Sequence, residues 1–141
     1  MSIEQKAQLI VQQFSKASDW EQKYEKIIEL GKSWNGLADE FKVDDLKIKG
    51  CQSQVWIKAE LKDGRLILSG DSDALIVRGL VAIVLSVYND NTPAEILKYD
   101  SHFLTEIGLD SGLSPSRTNG LYSMIKQIKY YATAFNYLLS K

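Results

Sequence analysis

QVWIKAELKDGRLILSGDSDALIVRGLVAIVLSVY, residues 54–88, decides the fold. Val55, Ile57, Ala59 and Leu61 alternate with Gln54, Trp56, Lys58 and Glu60, the period-two pattern of a half-buried strand. Asp63 and Gly64 then supply the dipeptide that closes tight hairpins, and Leu66, Ile67 and Leu68 resume an apolar run. The spacing predicts an antiparallel hairpin of segments 54–61 and 65–69. Asp71, Ser72 and Asp73 offer oxygens to the unpaired amides of a helix start. The apolar-rich run 74–88 is too long for a typical strand, so a largely buried helix is expected there.

Upstream, Ile3, Ala7, Ile10 and Phe14 recur at helical intervals. Ser18 with Glu21 forms a capping-box pattern ahead of Trp20, Tyr24, Ile27 and Ile28, and Gly31 ends that second helix. Periodicity is lost between Lys32 and Gly50, where Val43, Leu46 and Ile48 could supply one short strand. Downstream, Thr92, Pro93 and Glu95 cap one short helix, and Phe103, Leu104 and Ile107 suit another stopped at Gly108. After Ser114 and Pro115, the series Leu121, Met124, Ile125, Ile128, Ala132, Phe135 and Leu139 marks a long amphipathic helix over 117–139. The fold class expected is α+β, a small antiparallel sheet with helices packed mainly on one face, and 1–141 is read as a single domain.

Apolar residues make up 45% and charged residues 25%, which supports a packed core. With 17 basic and 18 acidic side chains the net charge is −1, so no global field favours nucleic acid or an anionic membrane. The amino-terminal MSIEQKAQLI lacks a basic region followed by an apolar run, and Arg78 and Gly79 interrupt the one long apolar stretch. A soluble, cytoplasmic protein is expected. One cysteine and one histidine can form neither an internal disulfide nor, by themselves, a structural zinc site.

That cysteine, Cys51, stands where the polar connection meets the first strand, between Gly50 and the pair Gln52–Ser53, and a loop is expected. A lone cysteine often serves only as a small buried apolar side chain. Gly50, however, frees the backbone beside the sulfur, and Lys47 and Lys49 can supply potential that favours thiolate. His102 lies in a short helix with no reason to meet Cys51, which disfavours a self-contained cysteine enzyme such as a hydrolase or peroxidase. Asp71 and Asp73 read either as helix-start residues or as groups that tune a loop or partner. Arg117 can pair with a carboxylate or organise the loop, while Asn119 and Gly120 can settle the start of the long helix. Trp56 and the aromatics of the last helix read as core or interface groups.

Three ordered blocks, GCQSQVW (50–56), DSDALIVRGLVA (71–82) and LSPSRTNGL (113–121), resemble the SufE family of sulfur acceptors, and YEKIIELGK (24–32) extends the similarity. The resemblance implies that Cys51 accepts persulfide sulfur from a cysteine desulfurase, SufS-like or CsdA-like, and hands it on. Gly50, Gln52, Ser53, Asp71, Asp73 and Arg117 would then support the loop or the partner. It also implies no intrinsic cofactor, since pyridoxal phosphate belongs to the desulfurase, and delivery to an iron–sulfur scaffold such as SufBCD. A CsdE-like branch would instead feed another sulfur relay, and the motifs do not separate the two. The segment SWNGLADEFKVDDLKIK lacks the prolines common there in the family, so a different local path is expected. A rival reading is a module that only activates the desulfurase, with Cys51 serving packing.

Overall fold

The computed structural model describes residues 1–140. Its elements run α1 (Ile3–Ser15), α2 (Trp20–Ser33), β1 (Val55–Lys62), β2 (Arg65–Ser72), α3 (Leu75–Tyr88), α4 (Pro93–Lys98), α5 (Phe103–Ile107) and α6 (Pro115–Leu139), with two single 3₁₀ turns between α2 and β1. The architecture is α+β, as the patterning predicts. Strands β1 and β2 form an antiparallel pair from Val55↔Ser72 to Lys62↔Arg65. Asp63 (φ 53°) and Gly64 (φ 77°) both adopt the left-handed conformation that such two-residue turns require.

The register puts Val55, Ile57, Leu66, Leu68 and Gly70 on one face. That face lies on α3: a Cβ on Gly70 would meet Leu85 and Val81 side chains at 3.1 and 3.3 Å. Helix α3 is apolar nearly all round because it is covered nearly all round. Ten of its residues are buried, and α2 packs on it so closely that a Cβ on Gly79 would meet the Ile27 carbonyl oxygen at 2.0 Å. Gly31 approaches Gly79 from the other helix, where a Cβ would lie 2.9 Å from the Gly79 nitrogen. Ile3, Ala7, Ile10 and Phe14 are the buried stripe of α1, as their spacing predicts. Helix α6 starts on a Ser114 cap and a first-turn proline, and Tyr131 Oη donates to the Ile57 carbonyl at 2.9 Å, tying it to β1.

Several local expectations need correction. The second helix is capped by Asp19, whose carboxylate accepts from the Gln22 amide; Ser18 instead donates its amide to the Gln22 side chain. Val43, Leu46 and Ile48 do not make a strand. Two acidic pairs, Asp39–Glu40 and Asp44–Asp45, begin 3₁₀ turns, and the backbone meets β1 at a bridge between Lys47 and Trp56 and at the bond from the Ile48 N–H to the Val55 carbonyl. Asn119 and Gly120 lie inside α6 and do not set its start.

The largest correction concerns Asp71 and Asp73, neither of which caps α3; that helix begins after Ala74 without a side-chain cap. Strand β2 runs on to Ser72 and carries Asp71 on the face opposite α3. Asp71 is 3% exposed and accepts from the Leu37 and Ser72 amides at 3.0 and 2.8 Å. Lys42 stands 3.4 Å and Arg78 3.6 Å from its oxygens. Arg78 also donates to the Trp34 carbonyl, and the Trp34 indole donates to the Gly70 carbonyl at 2.9 Å. The connection after α2 is thereby fastened over the second face of the hairpin by one buried carboxylate.

Burial alone would raise the Asp71 pKa; the two amides, Arg78 and Lys42 outweigh it and hold the carboxyl below its ordinary value. Its contribution to stability is therefore present above the unfolded-state pKa and is lost as pH falls through the lower folded value. Asp71→Ala is expected to cost about 3 kcal/mol at neutral pH, because it leaves the Leu37 amide without its acceptor and the sealed Nε of the part-buried Arg78 without its facing carboxylate. Urea unfolding should show that deficit shrinking below about pH 4, where the wild type begins to lose the same interaction.

Candidate functional site

Cys51 lies on an irregular loop between the second 3₁₀ turn and β1, and both ends of the loop are held. At the leading end, Gly50 has φ +90°, and a Cβ there would meet Ser123 Oγ of α6 at 2.9 Å. Glycine thus provides both the turn and the close approach to the helix. At the trailing end, Asp73 Oδ1 accepts from the Gln54 amide at 3.0 Å, while the Gln54 carbonyl receives Ser72 Oγ at 2.7 Å and the Asp73 amide at 3.3 Å. Asp73 therefore supports the cysteine loop, and Asp71 supports the longer connection that leads into it.

Between these anchors Gln52 is exposed, and Cys51 and Ser53 are half-buried. The thiol turns inward: Sγ lies 3.8 Å from the Gly120 carbonyl oxygen, a weak thiol hydrogen bond. Beside it opens a cavity of about 200 Å³ whose lining includes Gln52 and Ser53 from the loop, Leu80 from α3, and Arg117, Gly120 and Met124 from α6. Of the residues proposed from sequence, the cavity gathers Cys51, Gln52, Ser53 and Arg117. Gly50 lies on its far side, facing a groove with Lys47, Lys49 and Ser123. Asp71 and Asp73 do not line the cavity.

The expectation that Lys47 and Lys49 favour the thiolate is not met. Burial pushes the Cys51 thiol above its ordinary pKa, with no compensating charge. In this arrangement the sulfur is stored in its less reactive form. His102 is engaged elsewhere, with Asp100 at 2.7 Å and Glu4 at 3.3 Å, so the cysteine has no imidazole base from it. Arg117 has no ion pair or side-chain hydrogen bond among the described residues, which leaves a cation free at the cavity mouth. Leu80, Gly120 and Met124 are not singled out as site residues by sequence. Met124 reads as one more apolar position at helical spacing, and only the packing of α3 and α6 reveals that it lines the same cavity as Cys51.

No group of three or more potential metal-ligating side chains occurs among the described residues, and no described helix is long and apolar enough to cross a membrane.

Comparison with known proteins follows the same lines. A family model described as SufE, Fe-S metabolism associated domain, matches residues 8–132. An uncharacterized SufE-like protein of Synechocystis sp. is 40% identical over 126 residues, covering 89% of this chain and 79% of that protein. The solution structure of a hypothetical protein from Thermus thermophilus superposes with a TM-score of 0.73 over 92% of this chain and 94% of the other, at 16% identity, and shares the fold.

Alkylation of Cys51 by iodoacetamide is expected to rise with pH to a midpoint above the roughly 8.5 of an unperturbed cysteine. Asp73→Ala, which removes the acceptor for the Gln54 amide, should loosen the trailing end and speed alkylation about threefold at neutral pH. Both rates are read by mass spectrometry on the chain's single thiol.

Proposed function

The chain belongs to the SufE family, associated with Fe–S metabolism, and on that premise we propose that Cys51 is a persulfide-forming sulfur acceptor for a cysteine desulfurase. The observation that carries this reading is the placement of the only cysteine: on a loop held at both ends, half-buried, at a cavity with room beyond the thiol. A cysteine that served packing alone would not need an adjoining empty volume of about 200 Å³.

The transfer step is a displacement at sulfur. The Cys51 thiolate attacks the outer sulfur of the desulfurase persulfide; a new S–S bond forms on Cys51 as the old one breaks, and the partner's cysteine leaves as thiolate. The step is redox-neutral overall and needs no cofactor on this chain. Pyridoxal phosphate acts in the desulfurase, SufS-like or CsdA-like. Passing the sulfur to an iron–sulfur scaffold such as SufBCD, or to another relay acceptor, repeats the displacement with Cys51 as the leaving group. A cytoplasmic setting suits a lone thiol that must stay reduced.

The buried thiol fits this cycle. Attack requires the thiolate, which burial disfavours, so a docked partner has to supply what the resting site lacks, either by relieving the desolvation or by bringing a compensating positive charge. Resting protection and reactivity on demand are then one property. Arg117, unpaired at the cavity mouth, is placed to meet an acidic group of the partner.

With ³⁵S-cysteine and a matched desulfurase, wild-type protein should acquire one labelled sulfur per chain, removable by reductant. Cys51→Ser should keep the fold and remain unlabelled, since an oxygen cannot form the persulfide. Loaded protein freed of desulfurase should deliver a single round of sulfur to scaffold or relay acceptor. Labelling of Cys51→Ser equal to wild type, or desulfurase stimulation by an unlabelled wild type, would refute the acceptor role.

A further inference from the structure

Gly120 stands inside α6, buried, with the sulfur of Cys51 against its peptide. The ordinary conformational reason for a glycine does not apply, and the residue carries a cost. Its φ is not positive, and a glycine inside a helix weakens it relative to alanine. The reduced thiol does not demand it either, because a Cβ built on Gly120 would lie 3.5 Å from Sγ, a normal van der Waals separation.

A second sulfur changes the balance. The S–S bond is about 2.05 Å long. Directed along the 3.8 Å line from Sγ to the Gly120 carbonyl oxygen, the outer sulfur would come to about 1.8 Å from that oxygen, an impossible contact. The cavity that Cys51 lines together with Gly120 and Met124, residues about one helical turn apart on α6, offers it room to swing aside. Resting on the acceptor role proposed for Cys51, we infer that Gly120 is the positioning residue that leaves the outer sulfur its sheltered place, and that an alanine methyl there would compete with it for the same space.

The test needs no desulfurase, so its failure is distinct from failure of the acceptor role. The Cys51 thiolate is exchanged with a symmetric aromatic disulfide, which releases one aromatic thiolate and leaves a mixed disulfide, and hydrosulfide then displaces the second aromatic thiolate to leave the persulfide. Cyanide then takes the outer sulfur as thiocyanate and returns the electron pair to Cys51 as thiolate. Thiocyanate release from Gly120→Ala should be about fivefold faster than from wild type, because crowding drives the outer sulfur toward solvent. Alkylation of the reduced thiol by iodoacetamide should stay within about twofold, and the urea midpoint should be equal or higher. Adding Met124→Ala enlarges the same cavity and should slow release again. Equal release from wild type and Gly120→Ala, an acceleration matched by thiol alkylation, or an acceleration that Met124→Ala does not reverse would each overturn the inference.

Discussion

A carboxylate almost sealed from water holds the molecule's irregular half to its regular half. Asp71 extends the second strand far enough to place its side chain among two amides and two cations. Those four partners come from three parts of the chain: Leu37 and Lys42 from the connection after α2, Ser72 from the strand end, Arg78 from the buried helix. Without the carboxylate, Arg78 would be a charge near the core with only a carbonyl for company. Apolar contact holds the connection at points, through Ile48 in the core and Trp34 packed against it, but the connection has no regular element longer than a single turn to set its path. The path that feeds Cys51 is therefore defined by polar geometry laid over a hydrophobic platform.

On that platform the cysteine loop is short and fixed at its ends by unlike means. Gly50 is held by close approach to α6, Gln54 by hydrogen bonds to Ser72 and Asp73. A close steric approach releases when the helix contact opens, whereas the hydrogen bonds to the hairpin end survive that motion. Just before Gly50 the Ile48 amide also donates to the Val55 carbonyl at 2.8 Å, so both ends of the loop are referred to β1. The same asymmetry keeps the sulfur near the amino-terminal turns of α6, where Arg117 stands.

Much of this is legible in the sequence because the elements that carry it obey simple periodicities. The alternation of β1, the Asp63–Gly64 turn, the α1 stripe and the long α6 pattern all predict what is seen, since each depends on contacts repeated along one face. Cys51 can be singled out, with Gly50 beside it, from the family-like motif. Asp71 and Asp73 mislead for a physical reason: acidic residues before an apolar helix carry the same signature whether they cap that helix or reach back across the chain. The lysines mislead in the same way, because sequence shows their charge but not the direction of the neighbouring thiol. Met124 and Leu80 read as core and nothing more, because a cavity is a property of two packed elements and has no period in either.

The hairpin has two ends of contrasting character. Its open end joins the cysteine loop through Gln54 and Asp73, whereas at its tip Gly64 has nothing within 4 Å of where a side chain would begin, and Arg65 beside it ties the hairpin to Asp90 at 2.8 Å. Eight residues of strand separate the ends, a span of roughly 25 Å. A fluorophore or affinity handle grafted at the tip would ride rigidly with β1 and β2, far enough from the sulfur to leave its chemistry alone and near enough for energy transfer to report when another protein settles over it.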